Sequence, residues 1–384
     1  MTVVDEATWQ RETHGLRVAI VHDWLTGTRG GERVLEAIVR LFPHATLFTL
    51  VHRRGSMAPA IEQRGLRTSP VQWLPRATRW YRHLLPLFPW AVEQWDFDGF
   101  DLVISSSHCA VKSVVAPGKT RHLCYCHTPV RYAWDQFEAY FGRERSGWAS
   151  PFFRLGLAGF ARWDRATSRR PDRYVANSQY VATRIHRYYN RRAVVVHPPV
   201  DTGFFQPDGR ASEGFYLVVS ALVPYKRLEV AIEACRRLGR PLKVVGEGPE
   251  LPRLRALAGG EVEFVGWLSD QGVRDLYRRA RAVLLPGEED FGLVPLEAQA
   301  CGRPVVALGR GGARESVVDG VTGILTADAS VEGFIAGLTR GEREEFAPDA
   351  IRRHAERFSL SRFYQELRLV LLDLIQSPID KVRW

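Results

Sequence analysis

The stretch EEDFGLVPLE, residues 288–297, sets Glu289 and Glu297 apart with seven residues between them, Gly292 and Pro295 among these. A continuous helix face would not carry a glycine and a proline so close together, since one loosens the turn and the other breaks it. The apolar run LLP closes just upstream, at Pro286. The economical reading is a strand, a short loop and a helix starting near Pro295, because proline suits the first helical turn. Glu289 then lies in the loop and Glu297 in the first turn. Both stand above the carboxyl end of a strand, where open parallel sheets bind their ligands.

The same rhythm runs through the chain. LRVAIVHDW (16–24), ATLFTLVH (45–52), DLVISSS (101–107), RHLCYCHTP (121–129), DRYVANS (172–178) and AVVVHPPV (193–200) read as strands. Helical patterns such as GERVLEAIVRLF (31–42) and SQYVATRIHRYY (178–189) separate most of them. The alternation restarts at FYLVVSAL (215–222) and LEVAIEACRRLG (228–239), and continues through VEFVG, RAVLLP, PVVALG and GILTA. Strands alternating with helices imply a parallel sheet covered on both faces. The expected fold is therefore α/β, with two doubly wound, Rossmann-like domains facing each other across a cleft. The expected boundaries are a loose or disordered tail at 1–15, a first domain at 16–200 and a second at 215–358. Between the domains DTGFFQPDGRASEG (201–214), rich in Gly, Pro and Asp, reads as a linker, and residues 359–384 are helical in pattern.

A chain of 384 residues exceeds one ordinary core, and its 45% hydrophobic and 25% charged residues are the balance of a soluble globular protein. No run of about 18 apolar residues occurs, so no spanning helix is expected. The start, MTVVDEATWQRETHG, is polar and acidic, unlike a signal peptide, and a cytoplasmic location is expected. Cys109, Cys124, Cys126, Cys235 and Cys301 are odd in number and sit in apolar surroundings, which favours buried free thiols over disulfides or metal ligands. Residues 1–200 hold 28 basic and 16 acidic side chains, whereas residues 201–384 hold 25 and 27. A basic first half suggests an anionic partner there. Arginine bias, 48 Arg against five Lys, explains the residue type but not the asymmetry. Nucleic acid is not expected as that partner, because no recognition helix or base-stacking motif is present.

Several residues could carry chemistry. Gly30 and Gly31 follow the first strand and open a helix, where backbone can approach a ligand and N–H groups can meet an anion; a plain tight turn is the alternative. GEGPE (246–250) looks similar but reads as structural. In SALVPYKRLE (220–229), Lys226 and Arg227 stand just past a strand end, placed to hold a diphosphate or else to cap the strand as surface cations. Glu289 and Glu297 could both face a diphosphate-bearing ligand only if each accepts hydroxyl donors, while amides near Gly292, Leu293 and Val294 take negative charge. That combination suits a nucleotide sugar. His127 closes another strand beside Pro129, Arg131 and Asp135, and is either a ligand contact or a satisfied histidine. Asp96 and Asp98 in WDFDGFD read as a solvated turn, and no metal site is expected. Finally, residues 70–95 interleave Trp73, Trp80, Phe88 and Trp90 with Arg76, Arg79 and Arg82. This suits either a membrane interface or a half-buried helical hairpin.

On these residues the chain resembles the retaining, two-domain (GT-B) glycosyltransferases of family 4, within them the O-antigen mannosyltransferase-like bacterial branch. The resemblance runs from Leu16 to about Leu374 through VHDWLTGTRGGERVLEAI, DLVISSSHCAVK, CYCHTPVRYAWD, SALVPYKR, FVGWLSD and GEEDFGLVPLEAQACGRPVVA. It implies that the last helix packs back on the first domain. It implies catalytic roles for Glu289 (donor-sugar hydroxyls), Lys226 (leaving diphosphate) and His127 (transferred sugar and acceptor). Glu297 would hold the ribose, Phe291, Gly292, Leu293 and Val294 the sugar and phosphates, and Gly266 and Trp267 the base. Gly30 and Gly31 match the family's first glycine loop. Ala221 departs from the pattern: many members carry arginine there as a second diphosphate cation, a role open here to Arg227 or Arg314. The implied partners are a nucleotide-sugar donor, GDP-mannose by branch, and a glycan or polyprenyl-linked acceptor at the inner face of the cytoplasmic membrane, with no cofactor and no metal. A nucleotide-sugar epimerase of the same shape and a non-catalytic sugar-nucleotide-binding protein are the competing classes.

Overall fold

The computed structural model describes residues 4–28, 30–134 and 151–378. The chain divides into two compact units, Met1–His197 with Phe363–Trp384, and Pro198–Arg362. The first unit holds seven parallel strands: β1 (Val18–Leu25), β2 (Thr46–His52), β3 (Leu66–Thr68), β4 (Leu102–Ser107), β5 (Arg121–Cys126), β6 (Arg173–Ala176) and β7 (Ala193–Val195). The second holds six: β8 (Tyr216–Val219), β9 (Leu242–Val245), β10 (Val262–Gly266), β11 (Ala282–Leu285), β12 (Val305–Leu308) and β13 (Gly323–Thr326). Their spatial orders are β3-β2-β1-β4-β5-β6-β7 and β10-β9-β8-β11-β12-β13. Each is the doubly wound Rossmann order, which reverses direction beside its first strand. The switch points therefore lie between β1 and β4 and between β8 and β11.

The two-residue period of a strand explains why these segments are apolar throughout. Val283 and Leu285 of β11 point into one core with Leu217, Val305 and Ala307, while Ala282 and Leu284 point into the opposite core with Tyr216, Val218 and Val306. Both faces are covered, so neither set could be polar.

Three boundaries differ from the sequence reading. Within the expected tail, residues 4–15 are not loose: Glu6–Thr13 is a helix whose Asp5 cap accepts the Thr8 N–H at 2.7 Å. Trp9 anchors it, buried against Phe42 (5.4 Å between rings) and beneath the Arg368 guanidinium (5.1 Å). Residues 201–214 belong to the second unit, because Phe205 is fully buried in its core and Asp201 folds the turn by accepting the Phe204 N–H at 2.9 Å. Helix Leu360–Gln376 enters the first unit at Phe363, whose ring lies 6.0 Å from Tyr125, and Asp373 pairs with Arg173 at 2.6 Å. All five cysteines are buried free thiols.

Candidate active site

The second unit gathers its candidate residues at the β8/β11 switch point. After β8 the chain makes a short turn, Pro224–Lys226, and Arg227 takes the left-handed region (φ 54°) before helix Leu228–Leu238 begins. After β11 it runs through Pro286–Phe291 into helix Leu293–Ala300, with Gly292 (φ 86°) as the entry residue. The two loops touch through backbone: a Cβ on Gly287 would come within 2.8 Å of the Lys226 Cα and carbonyl. The Lys226 ammonium consequently meets the Glu289 carboxylate in a partly buried ion pair. Glu289 is pinned from behind, its carbonyl accepting the Gly312 N–H at 2.9 Å. Gly312 must be glycine there, since a Cβ would lie 2.3 Å from the Phe291 Cα.

The helix begins at Leu293, two residues before Pro295, because the positive φ of Gly292 turns the chain early. Glu297 is thus the fifth helical residue rather than part of the first turn. It is 6% exposed, and its Oε2 accepts the Tyr277 hydroxyl at 3.0 Å. Tyr277→Phe should cost about 1.5–3 kcal/mol of unfolding free energy, the range for a hydrogen bond to a charged group. Urea denaturation would measure it. The first N–H groups of the helix, which no helical carbonyl can satisfy, come from Leu293 and Val294 beside the Lys226–Glu289 pair. The Phe291 ring is not at the ligand side: it is buried against Phe358 at 5.7 Å, so only its backbone could meet a ligand.

Other expected residues lie elsewhere. Gly266 (φ 82°) ends edge strand β10 with its carbonyl taken by the Gly246 N–H at 2.8 Å, and Trp267 beyond it is 72% exposed. Arg227 is turned to Glu229 (2.8 Å), and Arg314 donates to the Gly309 carbonyl at 2.6 Å. Both arginines are thus engaged away from Glu289. The GEGPE glycines are structural, as read from sequence: a Cβ on Gly246 would overlap the Ser220 carbonyl at 1.9 Å.

The first unit builds a second cluster at its own switch point. Parallel register sets His22 of β1 opposite Ser106 of β4, with Nδ1 3.0 Å from Oγ. His127, just past β5, brings its Nε2 within 2.8 Å of the same Oγ. Its backbone is held by the Ser107 carbonyl (2.8 Å) and the Asn177 amide (2.9 Å). Burial first, then neighbouring His108 and His22, push the His127 imidazole well below its ordinary pKa, so it is neutral at physiological pH. Asp23 accepts four consecutive backbone N–H groups, residues 108–111, at 2.7–3.0 Å, which fixes His108 with its ring 6.3 Å from that of His127. Gly30 opens helix Gly30–Leu41, and a Cβ on Gly31 would touch His127 Nε2 at 3.7 Å. His22, Asp23, Glu32, Ser106 and His108 escaped the sequence reading. The available signal was a His–Asp pair inside an otherwise apolar strand, since buried polar groups need partners. Asp135 lies outside the described residues.

Of the aromatic–arginine stretch, Phe88 and Tyr81 turn inward, whereas Trp73 (81% exposed), Trp80, Trp90, Arg76, Arg79 and Arg82 face outward. The Asp98 N–H bonds to Asp96 at 2.8 Å in an exposed turn, and no metal-binding cluster exists among the described residues. No described helix is long and apolar enough to cross a membrane. A cavity of about 210 Å³ lined by Arg281, Gly302 and Pro304 opens at the amino ends of β11 and β12, away from the candidate site.

Residues 28–204 match the family described as Glycosyltransferase Family 4, and residues 214–341 match Glycosyl transferases group 1. Each match lies mainly in one of the two units, and in fold the chain is similar to the GT-B glycosyltransferases, with two Rossmann-like domains. Among curated proteins it is similar to the D-inositol 3-phosphate glycosyltransferase of Actinosynnema mirum, 35% identical over 234 residues that cover 51% of this chain and 56% of that protein. The Mycobacterium avium protein of the same name is 34% identical over 218 residues, 49% of this chain and 51% of that one. The chain spans about half the length of the curated relatives it matches. Sucrose-phosphate synthase from Thermosynechococcus elongatus shares the fold with a TM-score of 0.71 at 17% identity, over 94% of this chain and 99% of that one. Anabaena HepE in complex with UDP gives 0.68 at 18%, over 93% and 99%.

Proposed function

We propose that this chain is a retaining glycosyltransferase that moves a hexose from a nucleotide sugar to a hydroxyl of a lipid-linked or cell-surface glycan. The observation that carries the reading is the Lys226–Glu289 pair at a switch point, beside a helix start. Lys226 and the Leu293 and Val294 amides stabilise the diphosphate as it leaves, the kind of preorganised charge that lowers barriers most. Glu289 accepts donor-sugar hydroxyls, Glu297 the ribose, Gly266 and Trp267 approach the base, and His127 of the first unit serves the transferred sugar and the acceptor hydroxyl. Among the described residues no carboxylate is set as a covalent nucleophile, so the acceptor attacks the front face, assisted by the departing phosphate oxygen. Cations and amides supply the charge, and the proposed reaction needs no metal. Unchanged turnover in EDTA would support this.

GDP-mannose is the proposed donor, on the branch resemblance. A UDP-hexose is the second reading, favoured by the UDP held in the Anabaena protein of the same fold. Calorimetry against GDP, UDP and ADP decides between them, and absence of binding to all three overturns the donor reading. An epimerase would release an altered sugar nucleotide with no acceptor present, which one chromatogram detects.

A lipid-carried acceptor is supported by the outward Trp and Arg side chains of residues 70–92. Residues 63–92 contain five arginines and no acid. The inward side of this segment leads to the histidine cluster: Tyr81 lies 4.9 Å from Trp24, and Trp24 4.4 Å from His108. Each arginine near an anionic surface contributes about 1 kcal/mol. Replacing Arg76, Arg79 and Arg82 with glutamine should therefore cut liposome flotation roughly a hundredfold at low salt. Equal recovery of both proteins removes the membrane contact. It would instead favour a soluble phosphorylated polyol acceptor, as the curated relatives' names suggest.

A further inference from the structure

We propose that Glu32, His22 and Ser106 form a relay that fixes the proton of His127 on Nε2, so that its Nδ1 presents a lone pair to a substrate hydroxyl. The inference rests on the reading that His127 serves the reacting sugar.

The direction of the relay follows from its buried end. His22 is fully buried and Glu32 is 4% exposed, in the first turn of helix Gly30–Leu41. His22 Nε2 has no hydrogen-bond partner, and the Glu32 carboxylate lies 3.9 Å from it. Burial pushes the Glu32 carboxyl up, but its side-chain contact with His22 outweighs it, so its pKa lies below the ordinary value and Glu32 is ionised. A lone pair on Nε2 would face that negative charge at 3.9 Å, which is repulsive; a proton there is attracted. In the neutral His22 ring Nδ1 is then the acceptor, and the Ser106 hydroxyl donates its one proton to it across 3.0 Å. The Ser106 oxygen can only accept from His127, so the 2.8 Å contact is an Nε2–H donation.

Among the described residues, the other groups that face the cluster do not reverse this order. Tyr125, whose ring is 5.2 Å from His127, donates its hydroxyl to the Val196 carbonyl at 2.8 Å. His108 turns its Nδ1 to Asp23 at 3.4 Å. Burial keeps His127 neutral beside these rings. His127 in this state selects hydroxyl donors: it can accept a proton from an acceptor hydroxyl but cannot offer one from Nδ1.

The test is nitrogen NMR of the full chain with ¹⁵N-labelled histidine. Wild type should show His127 protonated at Nε2, and Ser106→Ala should lose that preference, while Ser106→Thr keeps it. In turnover, Ser106→Ala should lower kcat at least about tenfold with donor KM unchanged; a wrong tautomer at a triad histidine costs up to about 10⁴. Glu32→Gln should act in the same direction, and circular dichroism checks that each variant is folded. A wild-type His127 protonated at Nδ1, or a Ser106→Ala spectrum like that of wild type, overturns the relay. An Nε2 proton lost in Ser106→Ala with kcat unchanged retains the relay and overturns the catalytic reading of His127.

Discussion

Lys226→Ala is expected to lower kcat by about 10²–10³, the cost of deleting one preorganised donor to developing negative charge. The ammonium is the cation that the structure sets at the β8/β11 switch point, and Ala221 leaves no arginine in the neighbouring position to share the load. Arg227 and Arg314 are engaged by Glu229 and by the Gly309 carbonyl. Folding should be little affected, because the pair is partly exposed and such pairs contribute about 1 kcal/mol or less. A folded Lys226→Ala protein that turns over at the wild-type rate would remove Lys226 from the chemistry.

Glu289→Ala should separate binding from turnover in an unusual way. Without ligand, Glu289 neutralises Lys226, so an arriving diphosphate must displace a carboxylate from its own cation. Removing that carboxylate should tighten free nucleoside diphosphate by roughly fivefold, the equivalent of about 1 kcal/mol. Turnover should nonetheless fall by about 10–100-fold, because the sugar hydroxyls lose a charged acceptor worth about 1.5–3 kcal/mol. Calorimetry with the nucleotide alone reads the first effect and steady-state kinetics the second. Weaker nucleotide binding in the variant would mean that the pair does not have to open.

Much of the second unit's site was legible because it is written in short stretches. Lys226 follows its strand by seven residues and Glu289 follows its own by four, and strand–loop–helix patterning is enough to set both at carboxyl ends. What patterning could not foresee was local geometry: the positive φ of Gly292, which starts the helix early and carries Glu297 inward to Tyr277. In the first unit only His127 and the glycines were legible. His22 and Ser106 are 84 residues apart and meet solely through the register of β1 and β4. The N-terminal helix and residues 201–214 were misread for one shared reason. Their polar composition outweighed a single aromatic anchor, Trp9 in one and Phe205 in the other, and one buried ring is enough to hold a short segment.

The order in which the chain is made has a consequence for the first unit. Its closing segment, from Phe363 onward, supplies the ring beside Tyr125, the guanidinium over Trp9 and the carboxylate for Arg173. A ribosome delivers these only after all of Pro198–Arg362 has emerged. Domains ordinarily fold in the order of their synthesis. Here the later half can be complete while the earlier half still waits, its Trp9 and Tyr125 uncovered and open to chaperones until helix Leu360–Gln376 has emerged.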